Sequence, residues 1–138
     1  MAKKIAQRMG KKTSLKCMFT LDTNILIYYA AGKKEIVDFM EKNKNAIFYL
    51  PSIVITEFLS YPLIDEETLV KFRAFVYQTI VINLDIRIAE LAAELRRKYN
   101  LKLADAVIAA TAILTNSKLV TRNIRDFKKV KELEIFKV

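Results

Sequence analysis

A chain of 138 residues is long enough for one domain with a real core, and 53% apolar against 28% charged residues reads as folded globular protein. The chain has no His, which removes His-based nucleases, His-ligated metals and every Ser-His or Cys-His pairing, and the single Cys17 makes neither an internal disulfide nor a zinc site alone. The net charge of +9 sits mostly in residues 1–17, where Lys3, Lys4, Arg8, Lys11, Lys12 and Lys16 meet no acidic residue; the mildly basic remainder suits a polyanionic partner without requiring one.

Residues 1–17 read as a disordered basic leader, with a contribution to nucleic-acid binding as the alternative. Asp22 and Asn24 interrupt the apolar run behind it, which argues against a signal peptide. No uninterrupted apolar stretch reaches the roughly 18 residues of a membrane span. A reducing, cytoplasmic setting without a membrane is therefore expected.

Residues 18–138 read as one domain. Met18–Leu21 is a short apolar strand, stopped by Asp22-Thr23-Asn24, and a helix follows to about Ala31 before Gly32 ends it. Lys34–Asn43 repeats Ile36, Val37, Phe39 and Met40 at helical spacing. Ala46–Leu50 is a second strand closed by Pro51, and Ser52 is placed to cap a helix over Ile53–Ser60. Pro62 breaks that helix, and Asp65 caps another whose Leu69, Phe72, Phe75 and Val76 share a face. Thr79–Asn83 is strand-like. Asp85 opens a helix to about Tyr99, and Leu103–Thr115 is a helix apolar on nearly all sides, hence buried. Lys118–Thr121 is a strand, Asn123–Phe127 a turn or short helix, and Glu134–Lys137 a last strand.

Strands alternating with helices imply an α/β fold: a parallel sheet of four to five strands with helices on both faces, in three layers. Such sheets bind ligands beyond the carboxyl ends of their strands, where strand order reverses. Polar residues stand at such places. Asp22 follows the first strand, Glu57 lies in the helix after the second, Asp105 in the first turn of the apolar helix, and Asn123 just after the strand ending at Thr121. Singly, each acid also reads as a cap or a solvated residue. Jointly they mark one edge of one sheet. Three carboxylates gathered there repel one another, and a divalent cation relieves this. Mg²⁺ takes oxygen ligands through one or two carboxylates plus water and phosphate, so the acids are expected to close around an ion. The remaining acids suit blander roles, with Glu35, Asp38 and Glu41 on a solvent-facing helix surface and Asp65 and Asp85 as caps.

Four stretches carry a resemblance: Asp22-Thr23-Asn24, Thr56-Glu57, the run Leu103–Ala112 around Asp105, and Thr121-Arg122-Asn123 followed by Asp126-Phe127. In order and spacing they resemble the motifs of PIN domains, most nearly the VapC-type toxins of prokaryotic toxin–antitoxin pairs. The resemblance implies an endoribonuclease dependent on Mg²⁺ or Mn²⁺. Asp22 and Asp105 match its direct metal ligands and Glu57 its third acid. The fourth acidic position is Asn123 here, which supplies no negative charge; Asp126 either compensates or caps the turn beside Phe127. Thr23, Asn24 and Thr121 are expected to orient the carboxylates. Lys102, Lys118, Arg122 and Arg125 lie near the proposed edge and are candidates for holding RNA phosphates. Tyr28, Tyr29, Tyr61 and Tyr77 divide between base stacking and packing. The apolar segment Val54–Tyr77 suits a homodimer or antitoxin surface. Two rivals stay open: a PIN-like nuclease of RNA maturation or of structured DNA, and a PIN fold that binds nucleic acid without cutting it.

Overall fold

The computed structural model describes residues 17–138. The leader assigned to residues 1–17 falls outside the described residues, apart from an exposed Cys17. Five short strands form one sheet: β1 (Met18–Leu21), β2 (Ile47–Pro51), β3 (Ile80–Ile82), β4 (Lys118–Thr121) and β5 (Ile135–Lys137). The helices between them are α1 (Thr23–Ala30), α2 (Lys34–Lys42), α3 (Ser52–Leu59), α4 (Glu66–Tyr77), α5 (Ile86–Tyr99), α6 (Leu103–Leu114) and the single turn α7 (Ile124–Phe127). No helix among the described residues is long and apolar enough to cross a membrane.

The strand order is β3-β2-β1-β4-β5 and every pair is parallel. The chain thus builds outward from β1 through β2 to β3, then returns to lay β4 and β5 on the other side. The direction reverses between β1 and β4, which makes the gap beyond their carboxyl ends the place where a ligand is favoured. Register sharpens this. Leu21 pairs with Val120, so Asp22 and Thr121, the next residues along, emerge side by side.

Both sheet faces are covered. Phe19 and Thr20 are consecutive strand residues and therefore point to opposite faces. Phe19 packs edge-on against Phe39 of α2, with Phe48 and Phe136 alongside, while the Thr20 hydroxyl shares a 2.6 Å hydrogen bond with Ser117, just past the end of α6. The predicted three layers are present. Helix α6 is the most deeply set. Ala106 through Ala112 are all buried, and the small Ala side chains let the helix lie close against the sheet.

Most boundaries fall within a residue or two of the expectation, as helix ends usually do. One cap differs. Pro51 is both the last residue of β2 and the N-cap of α3, and Ser52 is already helical with no capping bond, because β2 runs straight into the helix. Asp65 and Asp85 do cap, accepting from Thr68 N–H at 2.8 Å and Ile88 N–H at 3.0 Å.

Candidate functional site

Asp22 is the centre of the arrangement. It caps α1, its Oδ1 accepting from the Thr23 N–H at 2.8 Å, and its Oδ2 accepts from the Thr121 hydroxyl at 2.6 Å. The side chain is buried, with 5% of its surface exposed. Burial pushes its carboxyl up from the ordinary 3.8 to about 6; the two hydrogen bonds pull the other way, and the charges of Asp105 and Glu57 add to the rise. No ion pair with Lys or Arg offsets that burial among the described residues.

The other groups are tied to Asp22 through short links. The Thr23 hydroxyl donates to Glu57 Oε1 at 2.7 Å, holding α3 to the start of α1. Thr121 Oγ1 accepts from the Asn123 N–H at 2.9 Å while donating to Asp22, so one hydroxyl fixes both. Asn123 Nδ2 donates to Asp126 Oδ2 at 3.0 Å. A hydrogen-bonded chain therefore runs from Thr121 through Asn123 to Asp126. Asp105 joins by charge alone. Its half-buried carboxyl is raised by desolvation and then by Asp126 and Glu57, with Lys102 and Lys129 acting in the opposite sense. Asp126 thus brings negative charge to the side of the site where Asn123 brings none.

Among the described residues no three carboxylates or thiols converge tightly enough to make a closed cage for a cation. The close-fitting pocket expected from the sequence is a looser group of acids instead, each anchored on a different element: Asp22 after β1, Glu57 on α3, Asp105 on α6 and Asp126 on α7. The donors still fit a divalent ion of the hard class. All are oxygens, and among the described residues Asp22 is desolvated without a cation to offset it and Asp105 has no ion-pair partner. An ion that keeps several waters and binds through one or two carboxylates suits a loose group of this kind.

Two sequence expectations are corrected by position. Lys118 is the first residue of β4, paired in register with Phe19, which places it about 10 Å along the strand from Thr121 at the amino edge of the sheet. Its Nζ lies 3.6 Å from Glu134. Asn24 does not reach a carboxylate; its Oδ1 accepts from the Arg122 N–H at 3.4 Å. Glu35 is exposed, as expected, and stands 3.9 Å from the Arg122 guanidinium. Lys102 and Arg125 are exposed, the former close enough to act on Asp105. Lys129 acts on Asp105 as well and was not singled out, since nothing in its local sequence separates it from its basic neighbours. An apolar cleft begins at Glu57 and is lined by Ile27, Ala30, Phe58, Tyr61 and Leu63.

A family model described as PIN domain matches residues 19–133. Ribonuclease VapC2 of Methanocaldococcus jannaschii is 29% identical to the chain, over 85% of this chain and 91% of its own length. Among solved structures, VapBC2 from Rickettsia felis bound to a promoter DNA fragment is similar with a TM-score of 0.77 at 26% identity, covering 88% of this chain and 98% of that one. A toxin–antitoxin complex from Klebsiella pneumoniae gives a TM-score of 0.74 at 30% identity, covering 89% and 100%. The matched span runs from β1 past α7 and takes in Asp22, Glu57, Asp105 and Asp126: this chain belongs to the PIN domain family.

Proposed function

We propose that the chain is a divalent-cation-dependent endoribonuclease, the toxin of a toxin–antitoxin pair, acting in the cytoplasm. The observation that carries this reading is Asp22, a buried carboxylate at the reversal of strand order, raised to about 6 and flanked by the charges of Asp105 and Glu57. The likeness to a VapC ribonuclease and to toxin–antitoxin complexes supports the same assignment.

Asp22 and Asp105 would hold Mg²⁺ or Mn²⁺, with Glu57 as the third acid. Such an ion, when bound, lowers the pKa of water and offsets charge developing on a phosphate. The chain's own groups set the geometry. Thr121 and the Thr23 N–H fix the Asp22 oxygens, and Thr23 holds Glu57 Oε1, leaving Oε2 as an acceptor for a proton from attacking water. Asn123 commits its Nδ2 to Asp126 and keeps its amide oxygen as an acceptor for water. Lys102, Arg122 and Arg125 supply cations for the RNA backbone.

The apolar cleft beside Glu57, with Tyr61 and Leu63 strongly exposed, supports an antitoxin docking against the mouth of the site. Val70 and Tyr77, exposed on α4, support a homodimer face. The direct test incubates the protein with RNA and with DNA side by side, in Mg²⁺ and in EDTA. RNA cut only with Mg²⁺ and DNA left whole is the expected outcome. Cutting of both would favour the DNA-processing rival, and cutting of neither the non-catalytic one.

A further inference from the structure

Arg122 lies between Thr121 and Asn123, the two residues whose hydrogen bonds link Asp22 to Asp126, and so adjoins the acidic group. Its N–H is held by Asn24, and Tyr28 follows Asn24 by four residues on α1, one turn along the same helix face. The Arg122 guanidinium stands over the Tyr28 ring at 5.6 Å, and the Lys33 Nζ stands over the same ring at 4.4 Å. Two cations thus share one aromatic ring. Among the described residues only Glu35 answers them, at 3.9 Å from Arg122, which is the outer limit of an ion pair and too long for a bidentate grip. Lys33 has no carboxylate partner among the described residues.

A cluster holding two positive charges against one negative, desolvated on one side by a ring, is unfinished electrostatically. An anion settles it. A guanidinium fork paired with an ammonium suits a phosphate, and an aromatic face beneath them suits a base or a sugar next to that phosphate. The position favours a nucleic-acid strand over an acidic protein, because the cluster adjoins the carboxylates where a backbone must pass. Resting on the ribonuclease reading above, we infer that Arg122 and Lys33, gathered on the Tyr28 ring, grip a backbone phosphate of single-stranded RNA beside the cleavage point, and that Glu35 occupies Arg122 until the strand arrives. Glu35 acts here as a competitor of the substrate. Weak nonspecific anions meet that competition, while a strand also held by the neighbouring cations Lys102 and Arg125 displaces it.

The test measures anisotropy of a fluorescein-labelled oligouridylate on the Asp105→Asn protein, in EDTA, between about 50 and 200 mM salt. Lys33→Gln with Arg122→Gln is expected to weaken binding about tenfold and to flatten the logarithmic salt slope by about 0.7, the value for one lost phosphate contact on a single strand. Glu35→Gln is expected to tighten binding several-fold, an outcome that a merely bracing role for the cluster does not produce. Unchanged affinity and slope in the double variant, or weaker binding in Glu35→Gln, overturns the inference and leaves the cluster as a brace or a contact for an acidic protein. Should the double variant fail to fold, Lys33→Gln and Glu35→Gln alone decide it. A parent chain that cuts RNA while the slope stays fixed defeats this inference only; a parent that neither binds nor cuts RNA defeats the ribonuclease reading as well.

Discussion

Asp105→Asn is expected to lower RNA cleavage by about 10²–10³-fold, the scale at which one preorganised charge in a reaction centre matters, while leaving the fold intact and raising rather than lowering its thermal midpoint at neutral pH. The two halves follow from the same geometry. Asp105 sits in the first turn of α6 yet makes no capping bond, since Lys102 is the N-cap and carries none. Its carboxyl is half-buried and raised by desolvation, Asp126 and Glu57, so the folded chain gains nothing from its charge. An amide keeps the shape and removes the anion. Single-turnover cleavage beside circular dichroism reads both quantities at once. Equal rates in the two proteins would remove Asp105 from the mechanism, and a melted variant would assign it to the fold.

Asp22→Asn is expected to raise the stability of the metal-free protein at neutral pH, by an amount that vanishes in acid. A carboxyl raised from 3.8 to about 6 binds its proton more tightly folded than unfolded. The stability it contributes is therefore complete below about pH 4 and is lost as pH climbs through about 6. At about 1.4 kcal/mol per tenfold change in proton affinity, the ionised form costs the fold about 3 kcal/mol. The amide preserves the acceptor for the Thr23 N–H but alters the bond to Thr121, so a net gain of about 2–3 kcal/mol, or roughly 6–10 °C in Tm, is expected above pH 7. Thermal melts of both proteins from acid to neutral pH check the sign. A difference that grows toward low pH would contradict it. The same substitution is expected to abolish cleavage, so stability and activity should move in opposite directions at one residue.

The order of strands and helices was legible because each element announces itself locally: Asp85 before an amphipathic helix, Gly32 after one, Ala-rich Leu103–Leu114 with no polar face to show to water. Asp22 and Thr121 were legible for a related reason, since parallel strands place the residues that follow them along one edge. Lys118 was not. Proximity in sequence to a strand does not say which end of it a residue occupies, and three residues of extended chain separate the two edges. The tightness of the carboxylate cluster was equally hidden. It depends on how far α3 and α6 stand from β1, which the packing of the whole core sets. Glu35 and Lys33 read as surface charges and are exposed; what stayed hidden was Arg122, which reaches Glu35 and the Tyr28 ring only because β4 lies beside β1. Asn24 was given a carboxylate partner from its neighbours in sequence, whereas the turn after β4 presents it a backbone amide instead.

Titrating Mn²⁺ or Mg²⁺ into the protein at neutral pH while following its melting temperature probes most directly whether these acids gather an ion. Binding to the folded chain alone adds about 2.7 kcal/mol at a hundredfold excess over the dissociation constant, and Asp22 must be ionised to take part, so the wild type should climb with added metal and need more of it near pH 5. The Asp22→Asn, Asp105→Asn double variant should stay flat. A metal-induced rise of equal size in both proteins, or no rise in the wild type at any concentration, would contradict a cation held at the end of β1.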